Sequence, residues 1–126
     1  MDQFIGAFKD AVTKNYANFA GRLNRGDYWR FFLVNVVIAV VLLILMRIHW
    51  IFLILYVGYI LALLIPGLAA GVRRLHDTGK SGWFVLLALI PIVGSIILLV
   101  FLAQPGQAEA NAYGPPPTGA ATAAIA

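Results

Sequence analysis

The chain has 126 residues, 62% of them hydrophobic and only 11% charged, with nine Lys and Arg against five Asp and Glu for a net charge of +4. A soluble domain carries about 25% charged residues, so the few present cannot cover a water-facing surface, and the composition is that of an integral membrane protein. There is no cysteine, which excludes disulfides, thiol catalysis and zinc–thiolate sites, and the cation excess suits the cytoplasmic loops of a membrane protein without calling for nucleic acid.

Residues 1–20, MDQFIGAFKDAVTKNYANFA, predict an amphipathic helix. Phe4, Phe8, Val12 and Tyr16 recur at i+4, joined by Ile5 and Phe19, while Asp2, Lys9, Asp10, Lys14 and Asn18 take the other side. Such a helix either lies in the membrane interface or packs on the cytoplasmic end of a bundle. No apolar run interrupts these charges, so no cleavable signal peptide is expected. Residues 28–46, YWRFFLVNVVIAVVLLILM, form the first predicted span, about 28 Å long against ~30 Å of hydrocarbon. Asn24 precedes it as a candidate N-cap, and Asp27 stands where a capping box and the helix dipole favour an acid. RIH at 47–49 is the only polar break before a second apolar run, so the chain must turn there.

The second span, residues 50–72, contains Pro66, which removes one ladder hydrogen bond and predicts a kink. Gly67 and Gly71 form a GxxxG pair that lets another helix approach. The third span, residues 83–103, WFVLLALIPIVGSIILLVFLA, carries Pro91 and Gly94 at its centre. One kinked span is expected rather than a re-entrant pair of short helices, because a turn at membrane depth needs protein to shield it. Residues 104–126 are rich in Ala, Pro and Gly and read as a flexible tail, disordered after Pro115. Three crossings from a cytoplasmic N-terminus place eight of the nine cations inside, as the positive-inside rule requires, and put the C-terminus outside. Trp29, Trp50 and Trp83 then fall at span ends, as an aromatic belt does.

The stretch GVRRLHDTGKSGW at 71–83 concentrates the polar chemistry. TGKS resembles the end of a phosphate loop, but the pattern needs glycine at position 74, where Arg74 stands, and a strand ahead of it, where an apolar helix is predicted. His76 and Asp77 lack the further ligands a metal site needs; His49, the other histidine, lies across the second span. As an acid–base pair His76 and Asp77 would point about 100° apart on a helix. A structural reading accounts for more. Arg73 and Asp77 are spaced i,i+4 and Arg74 and Asp77 i,i+3. Gly79 is placed to end the helix in the left-handed conformation, and Ser81 to cap the next one. Arg73 and Arg74 would snorkel to lipid phosphates, and Asp27 would meet one of them to lock the first two spans together. With GRLNRGDYW at 21–29, the predicted cytoplasmic face offers Arg22, Arg25, Arg30, Arg73, Arg74 and Lys80, an excess that attracts anionic lipid.

NYANFAGRLNRGDYWRF at 15–31, RRLHDTGKSGW at 73–83, IPIVG at 90–94 and NAYGPPP at 111–117 together resemble the domain-of-unknown-function 805 family of small bacterial inner-membrane proteins. The match covers nearly the whole chain. Asn24 stands where many members have serine, which keeps the capping ability. The resemblance implies a bacterial cytoplasmic-membrane protein and no catalytic residues.

The expected architecture is an all-α membrane protein. An amphipathic N-terminal helix (1–22) precedes a three-helix transmembrane domain (23–103) and a flexible tail (104–126). The leading functional expectation is a non-enzymatic module that binds anionic phospholipid or a partner protein through Arg22, Arg25, Arg30, Arg73, Arg74 and Lys80, around a structural cluster of Asn24, Asp27, His76, Asp77, Gly79 and Ser81. No cofactor, metal or nucleic acid is expected, and a homo-oligomer or a membrane-protein partner is open. The competing expectations are a subunit of an oligomeric transporter or channel, and an enzyme acting on lipid head groups through His76 and Asp77.

Overall fold

In the computed structural model, which describes residues 2–117, the chain is all-helical: α1 (Asp2–Val12), α2 (Arg25–Leu45), α3 (Ile51–Asp77), a 3₁₀ helix (Gly82–Leu89) and α4 (Val93–Ala103). Two of these, α2 and α3, are long and apolar enough to cross a membrane, with only 11% and 6% of their most apolar windows buried. At 1.5 Å per residue their 21 and 27 residues run about 32 and 40 Å. They form an antiparallel hairpin turning at residues 46–50. Tyr59 donates its hydroxyl to Asn35, whose amide donates to the Phe31 carbonyl at 2.8 Å, so the polar groups inside the pair satisfy one another.

The N-terminal helix is shorter than the i+4 pattern predicts and stops at Val12. Thr13 hydroxyl donates to the Lys9 carbonyl, and Asn18 donates to Asn15 and accepts from the Ala20 amide. Such local bonds offer the backbone an alternative to helix. Helix α1 packs on α2, burying Ala11 and stacking Phe8 on Phe31 with ring centroids 6.0 Å apart. Tyr16, which the pattern places on this helix, lies beyond it and donates its hydroxyl to the Ala62 carbonyl at 2.8 Å. That carbonyl lies four residues before Pro66, which has no N–H to give it. Helix α3 runs through Pro66 without a break.

The third apolar segment is where the structure departs most from the expected single span. Residues 83–103 form two short helices around a sharp turn at Ile92, whose φ is +65° and which is flanked by a Val93 N–H to Pro91 carbonyl bond of 2.7 Å. A non-glycine residue seldom adopts this conformation. Pro91 cannot donate a helical hydrogen bond, and a Cβ on Gly94 would collide with the Leu87 carbonyl. The two arms therefore fold tightly against each other, and α4 returns to the end from which the 3₁₀ helix started. Of the GxxxG pair, Gly71 faces Val85 of the 3₁₀ helix, while Gly67 faces open space. Gly82 sits so close to Val72 of α3 that a Cβ would overlap it.

Burial is concentrated at one end of the molecule. Tyr28, Phe31, Ala69, Ala70, Leu75, Leu98 and Leu102 are buried there, together with Asn24, Arg73, Arg74, His76 and Asp77. Along the rest of α2 and α3 large apolar side chains such as Val37, Ile44, Leu53 and Leu61 stay exposed.

Candidate functional site

Helices α3 and α4 both end at this closed end. A helix C-terminus presents unpaired carbonyls and the negative pole of its dipole, and arginines answer both. At the end of α3, Gly79 (φ +80°) accepts the left-handed position, with Gly79 N–H to His76 carbonyl at 3.0 Å and Lys80 N–H to Leu75 carbonyl at 2.9 Å, the paired bonds of a Schellman stop. Ser81 then caps the 3₁₀ helix by accepting from the Trp83 amide. At the end of α4 the Leu102 carbonyl accepts from Arg74 Nε (3.0 Å) and from the Trp29 indole (3.3 Å), and the Ala103 carbonyl from Arg25 (3.4 Å). Arg74 also donates to the carbonyls of Gln104 and Leu23.

Between the two helix ends lies Asp77. Its carboxylate takes Arg74 Nη1 at 2.8 Å on one oxygen and Arg22 Nε at 3.0 Å on the other, all three side chains at most 4% exposed. The Arg73–Asp77 pair allowed by i,i+4 spacing is absent among the described residues. The remaining donors of Arg22 reach the carbonyls of Asp77, Gln107, Glu109 and Gly114. The contact expected between Asp27 and Arg73 or Arg74 does not form. Asp27 is held by Arg30 (3.1 Å) and by the amide of its cap Asn24 (3.1 Å), whose carbonyl oxygen accepts from the Asp27 N–H at 2.7 Å. At this end the α2 side of the fold is tied to α3 by Arg22, in the loop ahead of α2, acting on Asp77, by the Leu23 amide on the Arg73 carbonyl and by Arg74 on the Leu23 carbonyl.

Residues 104–117, expected as a flexible tail, wrap this cluster. The Gln107 amide donates to the Asp77 carbonyl at 2.8 Å, Asn111 donates to the His76 carbonyl and to Gln107, and Asn111 and Gly114 close a tight turn. Gly106 passes so near Asp77 that a Cβ would land on its carboxylate. The Tyr113 ring stacks on His76 at 3.8 Å and 3°. The disorder expected after Pro115 falls mainly on residues 118–126, outside the described residues. Of the contacts sequence reasoning missed, those of Asn111, Tyr113 and Gly114 had a signal in NAYG, a turn pattern with Asn first and Gly fourth.

His76 is 8% exposed, and its Nδ1–H donates to the Gly21 carbonyl at 2.9 Å. It makes no bond to Asp77, so the acid–base pair considered from sequence is not assembled. No group of three metal-ligating side chains occurs among the described residues. Of the cations expected on an outward face, Arg22, Arg73 and Arg74 point inward. Lys80 reaches Gln104 at 2.7 Å and lies over the Phe101 ring; partial burial and then the Arg74 charge hold its pKa below the usual lysine value. Arg30 keeps part of its side chain exposed, and Lys14 is 79% exposed.

A family model described as Protein of unknown function (DUF805) matches residues 16–115. The chain is 40% identical over 108 residues to inner membrane protein YhaI of Escherichia coli K12, covering 85% of this chain and 92% of that one. It is 41% identical over 111 residues to inner membrane protein YhaH of the same strain, covering 84% and 92%. No solved structure matches. The matched region includes every residue of the Arg22–Asp77–Arg74 cluster.

Proposed function

Because the chain belongs to the family described as Protein of unknown function (DUF805), we propose that it is a non-enzymatic, multi-pass protein of a bacterial inner membrane whose cationic end engages phosphate-bearing lipid. Helices α2 and α3 cross the bilayer, and the 3₁₀–α4 pair, each arm about 16 Å long, enters to mid-depth and returns. The closed end lies at the cytoplasmic head groups with α1 along the interface. Eight of nine cations sit at that end and only Arg47 at the other, which supports a cytoplasmic N-terminus. The observation that carries the reading is the Arg22–Asp77–Arg74 lock. It takes up the one buried carboxylate among the described residues and leaves the end positive.

Mass spectrometry of lipid co-purified in mild detergent tests this. Acidic phospholipid should be enriched over the host membrane, and raised salt or Lys9→Gln with Lys14→Gln should lower the enrichment, at about 1 kcal/mol per cation. Lipid at host composition in every sample would sink it. So would His76→Ala abolishing cellular function with melts and lipid unchanged, which would restore a chemical site. A second reading, a subunit of an oligomeric channel or transporter, is favoured by the exposed turn. Leu89, Ile90, Ile92 and Val93 are exposed there, and irregular backbone at membrane depth survives where protein covers it. Ion flux from proteoliposomes decides between the two.

A further inference from the structure

Arg73 is 4% exposed, as buried as Asp77, yet it has no carboxylate. Among the described residues its side chain makes one hydrogen bond, from Nε to the Ala69 carbonyl at 3.4 Å, and its terminal nitrogens make none. A buried cation without a counter-charge is costly, and arginine's planar fork suits a phosphate. Arg73 lines a cavity of about 370 Å³ between α1, the loop ahead of α2 and residues 115–117 of the tail, with Asn15, Asn18, Asp10 and Asp27 among its walls. That volume lies within the range of small-molecule sites. Arg22, also in the wall, shares the Asp77 carboxylate with Arg74 and spends its other donors on the carbonyls of Asp77, Gln107, Glu109 and Gly114. The cation with donors left for a ligand is therefore Arg73, and two carboxylates share the wall with it. Asp27 is already held by Arg30 at 3.1 Å, and Asp10 is held by the exposed Lys14 at 3.9 Å.

We propose that this cavity binds a phosphoamine: the phosphate on the Arg73 guanidinium, and a primary ammonium on Asp10, displacing Lys14, with the asparagine amides around it. The source is either the head group of an aminophospholipid or a soluble phosphoamine. The lipid source rests on the placement of this end at head-group depth argued above. A purely anionic phosphate ester would satisfy Arg73 and meet repulsion from both carboxylates, so the site prefers the zwitterion.

The test titrates the detergent-purified full chain with short-chain phosphatidylethanolamine, short-chain phosphatidylglycerol and O-phosphoethanolamine. One ethanolamine lipid should bind per chain, about ten-fold tighter than the glycerol lipid. Arg73→Gln should weaken binding about ten-fold or more, the loss of a charge-assisted contact. Asp10→Asn, on the exposed side of α1, should erase the preference between the two lipids while leaving the fold intact, so it decides the matter even if Arg73→Gln unfolds. O-phosphoethanolamine binding as tightly as the lipid supports the site with a soluble source, and binding about ten-fold weaker supports the lipid. Wild-type affinity in folded Arg73→Gln, or a glycerol lipid preferred in the wild type, would overturn the proposal. Lys9→Gln, which lines no part of the cavity, should leave phosphoamine binding unchanged while lowering acidic-lipid enrichment, so the two readings fail separately.

Discussion

At the scale of single residues, the two aspartates of the closed end differ by environment. Asp77 sits between two guanidiniums with its side chain 4% exposed, while Asp27 is 40% exposed beside Arg30. Removing one partner of a buried ion pair leaves an uncompensated charge and costs about 3–5 kcal/mol, whereas an exposed pair contributes roughly 0–1 kcal/mol. Asp77→Asn should therefore lower stability sharply and Asp27→Asn barely, measured by melts of the purified protein in detergent. Equal effects would place the lock at the wrong carboxylate. Sequence spacing exposed only the i,i+3 half of this lock. Arg22 lies 55 positions from Asp77, and a pairing at that distance leaves no periodic trace.

At the scale of elements, α3 is continuous through Pro66 because a side chain from outside the helix replaces the missing donor. Tyr16→Phe should cost about 1 kcal/mol, the net value of such a bond. In a Pro66→Ala background, where the backbone amide at 66 returns, the same change should cost close to nothing. A double-mutant cycle on chemical or steric denaturation reads that coupling; additive losses would mean that Tyr16 does not serve the Ala62 carbonyl. The 3₁₀–α4 hairpin depends on a strained residue in the same way. Ile92 holds φ +65° and ψ −69°, the strained γ-turn geometry, which costs a side-chain-bearing residue about 1–3 kcal/mol. Ile92→Gly should accordingly raise the melting temperature, and a fall would show that the Ile92 side chain contributes more than its backbone strains.

At the scale of the whole molecule, the hairpin brings residues 104–117 back to the end where α2 begins. Arg74 holds the carbonyl end of α4, and Arg22 holds residues 107–114, so the segment after α4 lies beside the loop that precedes α2. Reporters fused ahead of residue 1 and after residue 126 should report the same side of the membrane; opposite sides would restore a single span over 83–103. Much of the rest was legible beforehand. The hydropathy of α2 and α3, the Asn24 cap and the Gly79 stop are local properties, carried by residues within a turn of one another. Pro91 and Gly94 were legible as a break but compatible with either a kink or a reversal. The choice between them rests on which carbonyls Arg74 reaches about thirty residues away. The order of residues 104–117 was hidden for the same reason, since its bonds run from side chains to distant backbone. That wiring has a consequence for biosynthesis. Asp77 is made with α3, but the carbonyls that Arg22 and Arg74 take at residues 102–114 are translated after both long helices, so a nascent chain holds the ion pairs before it can complete the remaining hydrogen bonds. A product cut short before residue 104 would keep the Arg22–Asp77–Arg74 ion pairs and lose the carbonyls of Gln104, Gln107, Glu109 and Gly114 that complete them, leaving those guanidinium hydrogens to water.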